Sequence, residues 1–187
     1  MKYFYSIVLL LIATFANAQT NPAAQPLPYS QDFSGLAANA TTYPAGWQGW
    51  TITTAPASTF STAAPTADRV LTASSTAAVN SGNVHNYNGK IGFLNTGSLD
   101  LGLVLTVNTT GQSNVSVSYD AMTIRNPYDG SANTRINEMI LQYRVGTTGT
   151  FTNITGTEYQ NNTTTQTTAI TTPQNVSPKT LTLPAAC

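Results

Sequence analysis

The sequence predicts an all-β fold, an antiparallel β-sandwich built as one domain, and three observations carry that expectation. Leu99, Leu101, Leu103, Leu105 and Val107 recur at every second position, the period of a strand with one buried face. Val115, Val117, Tyr119 and Ala121 then alternate with Ser116, Ser118 and Asp120, and Met139, Leu141, Tyr143 and Val145 alternate with Glu138, Ile140, Gln142 and Arg144. No amphipathic helix, tandem repeat or internal domain break interrupts the series. Successive alternating strands joined by polar turns are the pattern of antiparallel sheets.

Composition narrows the function classes. The 187 residues suit a single domain, and a 41% hydrophobic content supplies its core. Only 7% of residues are charged, and 7 Lys and Arg balance 7 Asp and Glu, so no field concentrates nucleic acid or an acidic membrane surface. Neither is expected as a partner. Solubility rests instead on Thr, Ser, Asn and Gln at outward strand positions, and β-branched Thr also favours extended backbone. The one cysteine, Cys187, excludes an intrachain disulfide and a thiolate metal site, so the fold stands on packing.

Residues 1–18 read as a signal peptide. Lys2 gives the basic start, Ile7 to Phe15 the apolar run, and Ala16-Asn17-Ala18 a small-x-small cleavage site, so cleavage is expected after Ala18. The apolar run is shorter than the ~20 residues that span a bilayer. No Cys follows the cleavage site to carry a lipid. The mature chain is therefore expected to be secreted, extracellular or at the cell surface, with no membrane anchor.

Residues 19–28 form a Pro/Ala-rich leader, with Pro22, Pro26 and Pro28 favouring extended backbone. The sandwich domain occupies 29–187. Its first short strand is Tyr29-Ser30-Gln31-Asp32-Phe33, followed by a small, polar loop through Pro44. Trp47 to Thr53 is the next strand, and a spacing of three places Trp47 and Trp50 on opposite faces. Thr54 to Asp68 reads as a long surface loop tethered by Phe60, and Arg69 to Thr72 as a brief strand. Ala73 to Asn88 reads as loop, with Gly82, Asn83 and Asn86 as turn formers and His85 a solvated loop residue. Lys90 to Asn95 opens the three alternating runs, whose last two are separated by the polar loop Arg125 to Thr134. Thr150 to Ile154 forms a further strand, the Thr/Asn/Gln-rich tract from Gln160 to Thr172 a loop, and Lys179 to Leu183 the last strand. The abrupt end on Leu183-Pro184-Ala185-Ala186-Cys187 is read as truncation, so the domain is expected to be incomplete at its C-terminus.

Several stretches, taken in order, resemble a group of secreted β-sandwich domains common in Bacteroidetes-type bacteria. They are Leu27-Pro28-Tyr29-Ser30-Gln31-Asp32-Phe33, Pro44-Ala45-Gly46-Trp47, Asp68-Arg69, Asn88-Gly89-Lys90-Ile91-Gly92, Val115 to Tyr119, and Gln142-Tyr143-Arg144-Val145-Gly146. The resemblance implies a jelly-roll, concanavalin- or MAM-like architecture at the N-terminus of a larger surface protein exported as type IX secretion cargo. It also implies further strands beyond Cys187, including one with an Asp. Such domains often hold a structural calcium near the first and last strands, which makes Asp32 the candidate ligand. The resemblance supplies an architecture without a chemistry, because members precede nucleases, adhesins and other functions.

The residues themselves offer little catalytic chemistry. His85 is the sole histidine, with no Gly-x-Ser-x-Gly elbow beside it, and histidine metal sites want more ligands than this chain has. Asp120 and Glu138 are a pair one could imagine in glycoside hydrolysis, yet outward strand positions are where surface acids ordinarily sit. The Asn126-Pro127-Tyr128-Asp129-Gly130 loop is oxygen-rich, and it is equally an ordinary turn. Sugar binding asks for an exposed aromatic platform with amide and charged neighbours, and Trp50, Tyr87, Arg125, Asn126, Tyr128 and Asp129 are the residues available. The competing reading puts the tryptophans in the core. The expectation is a non-catalytic recognition or interaction module that binds glycan or a surface protein and needs no cofactor beyond a structural calcium. The alternatives are a structural spacer or adhesin domain, and the accessory domain of an extracellular hydrolase or nuclease.

Overall fold

The structure is a computed structural model that describes residues 19–73, 81–124, 136–161, 174–185 and 187. Those residues are all-β, with no helix among them, and fall into five small sheets, consistent with a β-sandwich. Among them no helix is long and apolar enough to cross a membrane.

The first sheet is three-stranded and antiparallel, with β1 (Trp47–Thr53) between β2 (Ala67–Arg69) and β6 (Asp100–Leu105). Its register sets Trp50 against Asp68 on one side and Gly102 on the other. Gly49 through Ile52 are buried without alternation, so both faces of β1 are covered. Gly49 and Gly102 make this close packing feasible. A Cβ at Gly49 would meet the Tyr43 side chain and Val84 Cγ2, and one at Gly102 would lie 2.9 Å from Ile52 Cδ1.

Val84 belongs to the second sheet, in which β4 (Asn83–Asn86) lies between β3 (Leu71–Ala73) and β5 (Ile91–Leu94). The β3–β4 pair is parallel and β4–β5 antiparallel. The reading of Ala73 to Asn88 as loop is corrected here for Asn83 to Asn86. His85 is also corrected, being 0% exposed in a central strand, with Nε2 2.9 Å from the Ser81 carbonyl and its ring 5.6 Å from that of Tyr87. The single strand expected over Arg69 to Thr72 divides at Val70, which is 73% exposed between β2 and β3.

The longest pairing joins β7 (Ser116–Thr123) and β12 (Gln174–Thr182) in an antiparallel ribbon with a register shift between Gln174 and Ser177. Along β7 the side chains of Val117, Tyr119, Ala121 and Thr123 turn inward while Ser116, Ser118 and Asp120 stay exposed, as the alternation predicts. The run Glu138 to Val145 is instead broken in two. Its pieces are β8 (Glu138–Met139), paired with β11 (Tyr159–Gln160), and β9 (Gln142–Tyr143), paired with β10 (Thr152–Asn153). The reason is a side chain from farther along the chain. Leu141 N–H donates to the buried Thr157 hydroxyl (3.0 Å), and that hydroxyl donates to the Ile154 carbonyl (2.6 Å), so a side chain replaces a ladder rung.

The leader is tied down. Gln25 bridges Val107, with Gln25 N–H donating to Thr106 O and Asn108 N–H to Gln25 O. The strand expected over Tyr29 to Phe33 does not form: Tyr29 to Asp32 run as irregular backbone, and Phe33, at φ 62°, opens a turn closed by Leu36 N–H donating to its carbonyl (3.0 Å).

Candidate recognition surface

The structure buries both predicted platform rings that lie among the described residues. Trp50 is 2% exposed and Tyr87 6% exposed, so neither presents a ring to solvent. Trp50 lies in the doubly covered β1, where its indole Nε1 donates to Thr20 O at 3.2 Å. Tyr87 directly follows the buried β4. Both are corrected as platform residues: burial of their apolar surface holds them in the core. Arg125, Asn126, Tyr128 and Asp129 lie outside the described residues. Asp120 and Glu138 are exposed on separate sheets, β7 and β8.

One group of half-buried aromatic residues gathers where Leu27 to Phe33 passes the turn that leads into β1. Trp47 N–H donates to Pro44 O at 3.1 Å, closing that turn through Gly46 at φ 85°, a conformation suited to glycine. Tyr29 joins the two segments: its hydroxyl donates to Ala45 O (3.0 Å) and accepts from Trp47 Nε1 (2.8 Å). Phe33 packs its ring edge-on to Trp47 at 4.9 Å between centroids and 69° between planes.

Phe33 reaches that position through an unusual backbone. A bulky side chain in the left-handed region costs about 1–2 kcal/mol, and neighbouring polar groups hold it there. Its N–H donates to Gln31 Oε1 at 2.7 Å, while Ser34 N–H and hydroxyl both donate to Asp32 Oδ1 at 3.0 and 2.9 Å. Gly89, at φ 83°, lets the Asn86–Lys90 turn approach the Phe33 carbonyl to 3.4 Å from where a Cβ would sit. Tyr29, Phe33 and Trp47 are each half-buried, and Asp32, Ser34 and Asn88 stand exposed around them.

This arrangement has the chemistry of a sugar platform. Three rings, with the Tyr29 hydroxyl and the Trp47 indole N–H tied to the protein, offer apolar surface, and the rim offers a carboxylate, a hydroxyl and an amide. The Ser34 hydrogen bonds hold the Asp32 carboxyl below its ordinary range, which keeps it an ionised acceptor. Asp32, the candidate calcium ligand, stands here, and no group of three His, Cys, Asp or Glu side chains gathers among the described residues. Sequence reasoning quoted Tyr29, Phe33 and Trp47 within resembling stretches and did not assign them to a site. The signal that distinguishes the tryptophans is position, for Trp47 adjoins the Pro44-Ala45-Gly46 turn and Trp50 sits mid-strand.

Comparison with known proteins yields no relative: no family model, no curated protein and no solved structure matches this chain.

Proposed function

We propose that this chain is a secreted, non-catalytic recognition module of a larger cell-surface or extracellular protein, with jelly-roll topology, and that it binds glycan across Tyr29, Phe33 and Trp47. The observation that supports this reading is the half-exposed aromatic group held by a strained Phe33. Backbone strain persists where surroundings over-determine it, and it concentrates at ligand clamps. In this reading Asp32, Ser34 and Asn88 accept and donate hydrogen bonds to sugar hydroxyls, while Trp50 and Tyr87 belong to the core.

A glycan array tests it, with Trp47→Ala and Phe33→Ala as platform variants and Leu71→Val, in the core of β3, as the control. An anchoring ring in a binding surface is worth about 2 kcal/mol or more, so Trp47→Ala should weaken the recognised glycan at least about tenfold. Leu71→Val should leave binding unchanged wherever the fold persists. No binding to any glycan or cell-wall component, or binding indifferent to Trp47 and Phe33, would overturn the reading in favour of a structural spacer or adhesin domain.

A further inference from the structure

A second polar feature lies at the far end of the leader, around Arg144, just past β9. Its guanidinium carbon sits 5.4 Å from the Trp50 ring centroid and 4.6 Å from that of Phe151, and the two rings are 6.2 Å apart. Three such distances make a compact triangle, so both rings support the guanidinium from one side. The other side is left uncovered by them. Arg144 Nη1 donates to Gly149 O (3.2 Å) and Nη2 to Asn21 Oδ1 (3.1 Å), both neutral acceptors. No carboxylate pairs with Arg144 among the described residues. Asn21 Oδ1 also accepts from Gln19 Nε2 (3.1 Å), and Gln19 Oε1 is buried in the same seam without a hydrogen-bond partner.

A guanidinium held against two aromatic rings, with neutral acceptors as its partners among the described residues, is pre-organised for a planar oxyanion. Arginine meets a carboxylate in two parallel N–H···O bonds, and the supporting rings reduce the entropy lost on binding. The geometry points to Arg144 as a carboxylate-binding subsite for an acidic sugar, a uronic acid residue of a polysaccharide. That the carboxylate belongs to a saccharide rests on the proposed function; that Arg144 takes an anion does not.

Titration calorimetry with a galacturonic acid tetramer and a neutral galactose tetramer tests the subsite, using wild type, Arg144→Gln, Arg144→Lys and Trp47→Ala. The acidic oligomer should bind at least about tenfold tighter than the neutral one, as a charge-assisted pair provides. Added salt should reduce that preference. Arg144→Gln should abolish it and Arg144→Lys retain only part, because an ammonium lacks the two-pronged fit. Trp47→Ala should weaken both oligomers and keep the preference. Should Arg144→Gln fail to fold, the wild-type Arg144 Nε–H resonance gives the answer, since the acidic oligomer should shift it and the neutral one should not.

Equal affinity for the two oligomers, or a preference that survives Arg144→Gln, would overturn the subsite and leave the aromatic platform standing. An acid preference that depends on Arg144, with Trp47→Ala silent, would sink the platform alone. A sulfated galactan preferred over the galacturonic acid tetramer would overturn the assignment to carboxylate, and binding of neither tetramer would overturn the subsite.

Discussion

At Gly49 an added methyl would run into the Tyr43 side chain and come within 2.9 Å of Val84 Cγ2, at the contact between the first two sheets. The Tyr43 hydroxyl is buried there without a hydrogen-bond partner, and burial pushes its pKa well above the ordinary value. Overpacking of this kind costs about 1–3 kcal/mol. Gly49→Ala should therefore lower the thermal midpoint, and an unchanged melt would contradict the packing described. Asp100 tests electrostatics at the same scale. Partial burial raises its carboxyl above the ordinary pKa, against hydrogen bonds from Leu101 N–H and Asn95 Nδ2 that both end on Oδ1. A raised folded pKa means that the stabilising contribution is complete below the unfolded pKa, about 3.9, and is lost as pH rises through the folded value. Asp100→Asn keeps an Oδ1 acceptor and removes the charge. Its stability relative to wild type should grow between pH 3.5 and pH 7 in denaturant unfolding, and a constant difference would contradict the assignment.

Among the elements, those with one wet face were legible and those with none were not. The alternation of Val117, Tyr119 and Ala121 specified β7 directly, because a ribbon with a solvent face must sort its side chains by period two. β4 carries no such pattern: Val84, His85 and Asn86 are all buried, and asparagines read locally as turn formers. The Asn86 amide explains why a polar residue is placed there. Nδ2 donates to Ala37 O (2.8 Å) and Ala40 O (3.3 Å), and Oδ1 accepts from Gly89 N–H (3.1 Å), so one side chain fastens two turns to the strand. Leaving buried backbone groups unpaired costs about 1–3 kcal/mol each. Asn86→Ala should destabilise the fold by at least that much, and hydrogen exchange should show the Gly89 amide losing protection. An unperturbed Gly89 amide would contradict this role. The split of Glu138 to Val145 was equally illegible, since a hydroxyl at Thr157, distant in sequence, interrupts the ladder at Leu141.

At the scale of the whole molecule, the leader brings the two proposed sites into one account. Residues 19–21 close over Trp50 and Arg144, Gln25 pairs beside β6, and Tyr29 to Phe33 complete the platform on Trp47. The sequence reading offered Trp50, Tyr87 and Tyr128 as sugar-binding rings, and the structure buries the first two. Burial is a property of which sheet covers which, and period two does not report it for a strand covered on both faces. The same ambiguity left open which of the two tryptophans faces solvent.

The chain has two tryptophans and hence two indole N–H resonances. Titrating the folded protein with a neutral glycan selected on the array, and following both resonances by NMR, tests the central claim most directly. The account predicts that the Trp47 resonance moves along a saturable isotherm while that of Trp50, bonded to Thr20 O in the core, stays in place. Movement of Trp50 alone, or a saturating ligand that moves neither, would contradict it.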